Sequence, residues 1–274
     1  MRVLELISDS VKPANEDACG YRAEGAWVID GATALEQSPL IDGVSAAAWL
    51  SHTASAILGA LAWDDRSLPE ILAATIERLA DLGDTHGLTG PAFPTAAISL
   101  VRHREGRLEV CSLGDCSVVV SRLGGKPVDV ADPQFEGAEA STLARVRDRL
   151  NEGVPPADAY REIRAELLER RRSRNSPAGL WVLGSAPEAA WHAGVESVPA
   201  PPGSDIVLMT DGYSRCVWPF GLVPDTADLM EQVTTGGAAD LLSALRAAEA
   251  ADPDCARVPR FGTHDDATIL WAHV

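Results

Sequence analysis

Apolar residues fall in short runs divided by turn residues, and the period of the runs changes along the chain. Residues 3–8 and 27–29 read as strands, because runs of Val, Ile, Leu and Trp bounded by turn residues suit buried strands. Residues 43–63 are Ala-rich with Leu, Ile and Trp at helical spacing and predict a largely buried helix. A second helix is predicted over 68–82, where Ser67 can cap it ahead of Pro69 and Gly83 stands just past its end. Successive antiparallel strands follow at 96–101, 107–112 and 116–121, with His103-Arg104-Glu105-Gly106 and Gly124-Gly125 as turns. From 136 to 174 the pattern is polar and helical, broken at Gly153-Val154-Pro155-Pro156. Strands resume at 179–183, 193–198 and 205–210, with residues 199–203 as a hard turn. A helix over 238–250 and a strand over 266–272 follow. Strands in two batches around helices, joined by hairpin-like connections, predict an α+β fold: an αββα sandwich of two antiparallel sheets flanked by helices. One domain is expected over residues 1–274.

Charge narrows the partners. Lys and Arg number 23 against 40 Asp and Glu, a formal net charge of −17. Nucleic-acid backbones and anionic membranes both reward positive charge, so neither is expected as a partner. Five cysteines without a CxxC pair predict reduced, apolar thiols and an intracellular, cytoplasmic setting. Glu5 and Asp9 stand where a signal peptide would be apolar, and no run of eighteen apolar residues occurs to span a membrane.

The acids are arranged more tellingly than they are numerous. Four clusters sit at the end or start of an apolar run: Val28-Ile29-Asp30-Gly31, Leu113-Gly114-Asp115-Cys116, Leu208-Met209-Thr210-Asp211-Gly212 and His264-Asp265-Asp266-Ala267. Asp-Gly is a common turn dipeptide, and one instance carries little. Turn chemistry does not require acid at all four places. Half-enclosed carboxylates gathered from strand ends need a shared counter-charge, and hard divalent cations with oxygen ligands supply it.

In order along the chain, Asn15-Glu16-Asp17, Asp30-Gly31, Pro94-Thr95-Ala96, Gly114-Asp115-Cys116-Ser117, Thr210-Asp211-Gly212 and Asp265-Asp266-Ala267-Thr268 resemble the metal-dependent protein phosphatases, the type 2C serine/threonine phosphatases in their bacterial form. The resemblance implies a two-metal centre of Mn²⁺ or Mg²⁺ at one edge of the sandwich. Asp30 would bridge both ions, the Gly31 carbonyl would ligate one, Asp211 and Asp265 the other, and Glu16 would act through water. Asp115, with Asp211, matches a third and weaker metal position. Two divalent ions ~3.5–4 Å apart activate a water and clamp a phosphoryl oxygen during in-line attack, so no Ser or Cys nucleophile is expected.

The chain departs from the family pattern at three places. Lys12 stands where a phosphate-binding Arg is usual, and an ammonium cannot make the bidentate fork. Ala32 stands where some members carry a His proposed as general acid, and Arg215 where many carry another Asp. The resemblance also places a variable helical flap, roughly 126–178, beside the site. Arg170-Arg171-Arg172-Ser173-Arg174 lies in it, either as a solvated helix end favoured by the macrodipole or as a phosphate contact. Expected catalytic residues are therefore Asp30, Asp211 and Lys12, and expected substrate contacts are Lys12, Arg171, Arg172 and Arg174. His264 could orient Asp265. The expected function is hydrolysis of phosphoserine or phosphothreonine in a phosphorylated protein by a monomer. The alternatives are a phosphatase-like regulatory or binding module that has lost catalysis, and a phosphatase of small metabolites using the same site.

Overall fold

The computed structural model describes residues 1–36, 40–63, 65–122, 124–135 and 137–274. It opens with β1 (Arg2–Asp9), β2 (Asp17–Tyr21) and β3 (Gly25–Gly31), then α1 (Ala46–Ala60) and α2 (Leu68–Thr85). A meander of β4 (Ala96–Arg104), β5 (Arg107–Leu113), β6 (Ser117–Arg122) and β7 (Gly125–Val130) leads into α3 (Ala138–Asn151) and α4 (Pro156–Arg172). β8 (Gly194–Pro199), β9 (Asp205–Met209), the single turn α5 (Asp211–Ser214), α6 (Thr226–Thr234), α7 (Ala238–Ala250) and β10 (Ala267–His273) follow.

The strands form two five-stranded sheets, β1-β10-β9-β6-β7 and β2-β3-β4-β5-β8, and every pairing within them is antiparallel. Period-2 geometry divides the central strands between two layers. On β3, Ala26 and Val28 face the opposing sheet, while Trp27 and Ile29 face α1 and α2. On β9, Ile206 and Leu208 join the inter-sheet layer, while Val207 and Met209 pack with Leu229, Leu241 and Leu245 of α6 and α7. Strands buried on both faces read as unbroken apolar runs. The architecture is the αββα sandwich.

Local chemistry sets the helix ends. Ser67 accepts from the Glu70 backbone N–H, while Glu70 reaches back to the Ser67 N–H, a full capping box at the start of α2. Helix α1 starts at Ala46, capped by Ser45, three residues later than the Ala-rich pattern suggested. Residues 179–183 were expected to form a strand; only Leu183 bridges, to Ala96. Glu136, the predicted start of the polar helical stretch, lies outside the described residues.

Helices α3 and α4 lie in the stretch expected as a flap, whose first residues, 126–130, belong instead to β7 and pair with β6. The two helices hold a small core of their own (Val146, Ala159 and Ile163), with Leu150, Leu167 and Phe261 packed on it. Tyr160 fastens it to the body: its hydroxyl donates to the Cys255 carbonyl at 3.1 Å and accepts from the Arg260 N–H at 3.0 Å. All five cysteines are free thiols. Among the described residues no helix is long and apolar enough to cross a membrane.

Candidate active site

Antiparallel neighbours place the end of one strand beside the start of the next, and this brings the acidic strand ends together. Asp30, near the end of β3, stands in register with Asp17 and Ala97. Met209, the last residue of β9, stands opposite Ser117 and Ile269, near the starts of β6 and β10. Asp211, Asp115 and Asp265 therefore emerge from three adjacent strands of one sheet, facing Asp30 from the other.

Two glycines permit this convergence. A Cβ on Gly31 would lie 2.4 Å from the Glu16 carbonyl oxygen, which accepts the Gly31 N–H at 3.1 Å. A Cβ on Gly212 would lie 1.9 Å from the Asp266 carbonyl oxygen. Gly114 takes φ +110 and its Cβ would strike Ala97, so the turn before Asp115 also requires glycine. The Gly114 N–H donates to Asp132 at 3.0 Å, which fixes that turn. Asp132 follows β7 as the other acids adjoin their strands; the same strand-end signal would have found it.

The carboxylates crowd each other. Burial, then the charges of Asp211 and Asp17, hold the Asp30 carboxyl well above the ordinary range, and it hydrogen-bonds to Asp211. Asp115 opens onto a cavity but is ringed by protein atoms; this enclosure, then Asp211, pushes it up to about 6. Glu139, on the first turn of α3, is pushed up to about 8 by burial and then by Asp211. No motif marked Glu139, since its flanking sequence is only a polar helix.

That cavity, about 760 Å³, lies between the acidic edge and the flap. Its floor carries Asp30, Asp115, Asp211 and Asp265, and Glu139, Arg164, Arg170, Arg171 and Arg174 reach it from the flap side. Arg174 donates to the Thr95 hydroxyl at 2.7 Å and Arg171 to the Thr33 carbonyl. Among the described residues neither is salt-bridged to a carboxylate. Burial lowers both, Arg171 to about 10 with Arg174 adding to the effect. Arg172 does not line the cavity; it is exposed and meets Glu36 at 3.5 Å. The expectation that all three arginines contact substrate is thus corrected for Arg172, which α4 turns outward.

Lys12 is in the site but is not a free hand for phosphate. Its ammonium donates to Glu16 at 3.0 Å, Thr33 at 3.0 Å, Asp266 at 3.1 Å and Asp265 at 3.3 Å. An ammonium has three N–H bonds, so these four acceptors saturate it. Burial opposes its charge, but Asp265, Asp266 and Glu16 outweigh burial and hold it protonated. Glu16 also accepts from Ser45 at 2.7 Å and from Thr33.

Arg215, only 3 % exposed, donates to the other oxygen of Asp265 at 2.7 Å and to the Phe261 carbonyl at 3.0 Å. Its far nitrogen meets the fully buried Glu249 at 3.4 Å. His264 contacts Glu249 at 3.0 Å, so it does not orient Asp265 as expected. Asp265, expected to bind a metal with Asp211, has both oxygens engaged by protein cations, Lys12 and Arg215.

Among the described residues no three His, Cys, Asp or Glu side chains close on a common metal position. The donor set itself suits one. Asp30, Asp115 and Asp211 are hard oxygen donors, close enough that Asp211 raises both Asp30 and Asp115. That excess of negative charge is what a divalent cation relieves.

Residues 10–246 match the protein phosphatase 2C family, and the chain belongs to it. No functionally curated protein matches it. Among solved structures, it is similar to the serine/threonine phosphatase PstP/Ppp of Mycobacterium tuberculosis, at 16% identity and TM-score 0.59, covering 100% of this chain and 99% of that one. The PstP catalytic domain in complex with two manganese ions gives 18% identity and TM-score 0.54, covering 100% and 99%. PppA of Pseudomonas aeruginosa, described as a regulatory component of its T6SS, gives 15% identity and TM-score 0.56, covering 97% and 95%. Identities this low establish a shared fold.

Proposed function

We propose that this chain is a Mn²⁺- or Mg²⁺-dependent serine/threonine protein phosphatase. The observation that carries the reading is the polarity of one cavity: carboxylates on the sheet ends, and on the flap above them three guanidiniums, of Arg164, Arg171 and Arg174, that make no salt bridge among the described residues. Asp30, Asp115 and Asp211 would hold the divalent cation, which supplies the positive charge that activates water and neutralises the phosphoryl oxygens.

The chain's own residues divide the remaining work. Arg171 and Arg174 bind the phosphoryl oxygens; each keeps guanidinium donors beyond the single side-chain hydrogen bond it makes among the described residues. Gly31 and Gly212 hold the acidic strand ends together by backbone approach. Lys12 neutralises Glu16 and Asp266 and keeps them in place. Ala32 offers no proton, so the departing seryl or threonyl oxygen takes one from water. Water attacks phosphorus directly and no phospho-enzyme forms, in keeping with a cavity lining that holds no Ser or Cys among the described residues.

A second reading, a phosphatase of small metabolites, is favoured by the roofing of the cavity by the flap. Purified protein with Mn²⁺ is assayed for phosphate release from a panel of phosphoserine and phosphothreonine peptides and a panel of phosphorylated metabolites. Preference for peptides supports the proposal; preference for metabolites replaces it with the second reading. Inactivity on both would leave a regulatory module of phosphatase fold.

A further inference from the structure

Lys12 and Arg215 are two departures from the family pattern, 203 positions apart in sequence, and they converge on one residue. Arg215 donates to Asp265 Oδ2 at 2.7 Å and Lys12 to Asp265 Oδ1 at 3.3 Å. Both oxygens of the carboxylate are therefore held by cations that belong to the chain.

These cations are built in. Arg215 is 3 % exposed and is braced from behind: Glu249, which is fully buried, faces its second nitrogen, and Arg246 and His264 hold Glu249 in turn. Lys12 is braced by Glu16, Asp266 and Thr33. Swinging Asp265 onto a metal would leave a buried guanidinium short of its closest carboxylate, a costly arrangement. A divalent ion placed at Asp265 would also meet two resident positive charges nearby.

We infer that Lys12 and Arg215 take the place of a metal ion at Asp265, so that the centre holds one tightly bound divalent cation, on Asp30, Asp115 and Asp211. Asp265 is then a positioning residue that anchors the loop before β10 through Arg215. The inference rests on the metal-dependent reading of the site and narrows it. It concerns binding, so the count of ions decides it without reference to turnover.

The test is the stoichiometry of Mn²⁺ on the purified metal-stripped chain, by calorimetric titration and by metal analysis after desalting. The expected result is one tight equivalent. In the Asp265→Asn variant the affinity for that equivalent should stay within about threefold, since an amide oxygen still accepts from Arg215; in Asp211→Asn it should fall by roughly tenfold or more, because a ligand charge is lost. Two tight equivalents in the unaltered chain would overturn the inference and leave the phosphatase reading standing. So would a loss in Asp265→Asn equal to that in Asp211→Asn. The unaltered chain gives the count even if a variant fails to fold. Absence of any Mn²⁺ binding would overturn the inference together with the metal-dependent function, and is distinct from the other outcomes.

Discussion

The Thr210 hydroxyl donates to the buried carboxylate of Asp17 at 2.8 Å and accepts the Thr268 N–H at 3.0 Å. Asp17 lies on β2 of one sheet, and Thr210 directly follows β9 of the other, so its hydroxyl ties the two sheets together beneath the acidic edge. Removing it strands the buried Thr268 N–H and leaves Asp17 with Thr268 in place of two threonine partners, at a cost of about 1–3 kcal/mol. Thr210→Val, which keeps the shape, should lower the urea midpoint by an amount worth ~2 kcal/mol or more, with an unchanged slope. Thr210→Ser should restore most of it.

The metal-free protein should be least stable at alkaline pH. Asp115 and Asp265 are held at about 6 and Glu139 at about 8, each above its unfolded value. Burial is the largest cause for each; Asp211 adds to it, while Arg215 opposes it at Asp265 and Glu139. A raised acid stabilises the fold fully below its unfolded pKa and loses that contribution as pH rises through the folded value. Thermal unfolding of stripped protein should therefore show Tm falling between about pH 5 and pH 8.5. Mn²⁺ at 100 times its Kd adds about 2.7 kcal/mol, roughly 5–10 °C for a domain of this size, and the gain should be larger at pH 8 than at pH 5. A Tm that rises over this interval without metal would contradict the crowding described here.

Gly212→Ala should disturb the site through the backbone. The added methyl meets the Asp266 carbonyl at 1.9 Å and Asp265 Cβ at 3.2 Å, and neither belongs to a flexible chain end. Overpacking of this kind costs about 1–3 kcal/mol. Differential scanning calorimetry should show the loss, and Mn²⁺ affinity should fall with it. By contrast Gly87, with nothing near its Cβ position, takes positive φ, and Gly87→Ala should cost stability without touching Mn²⁺ affinity.

Arg171→Gln and Arg174→Gln should each raise KM for a phosphopeptide by roughly tenfold or more, since a charge-assisted hydrogen bond to phosphate is worth ~1.5–3 kcal/mol. Arg172→Gln should change KM by less than about twofold, in line with the small worth of exposed charge pairs. Steady-state kinetics on the three variants separates the cavity-lining arginines from the helix surface.

Much of the fold was legible because its central strands are buried on both faces and so read as continuous apolar runs, as at 205–210 and 96–101. Elements without that signature were missed. β2 is Asp-Ala-Cys-Gly-Tyr, too short and too mixed to show a period. β7 carries Pro127 and two charges, Lys126 and Asp129, in six residues, and α6 spans only nine residues. Residues 179–183 read as a strand on composition, yet only Leu183 finds a partner. Within the site, the strand-end acids were legible from position alone. The pairing of Arg215 with Asp265 across fifty residues was not, because charge inventory does not say which cation a carboxylate will meet. The turn that faces Arg171 and Arg174 inward and Arg172 outward is likewise set by how α4 docks, not by the run of arginines itself.

The central claim is that the carboxylate cluster runs metal-dependent phosphoester hydrolysis. It is tested most directly by phosphate release from a phosphothreonine peptide by the unaltered chain and by Asp211→Asn, with Mn²⁺ and with excess chelator. The account predicts release by the unaltered chain with Mn²⁺, none above background with chelator, and a loss in Asp211→Asn of at least roughly a hundredfold, the scale of losing a charge that holds the cation. Release that persists in chelator, or in Asp211→Asn to within tenfold, would contradict it.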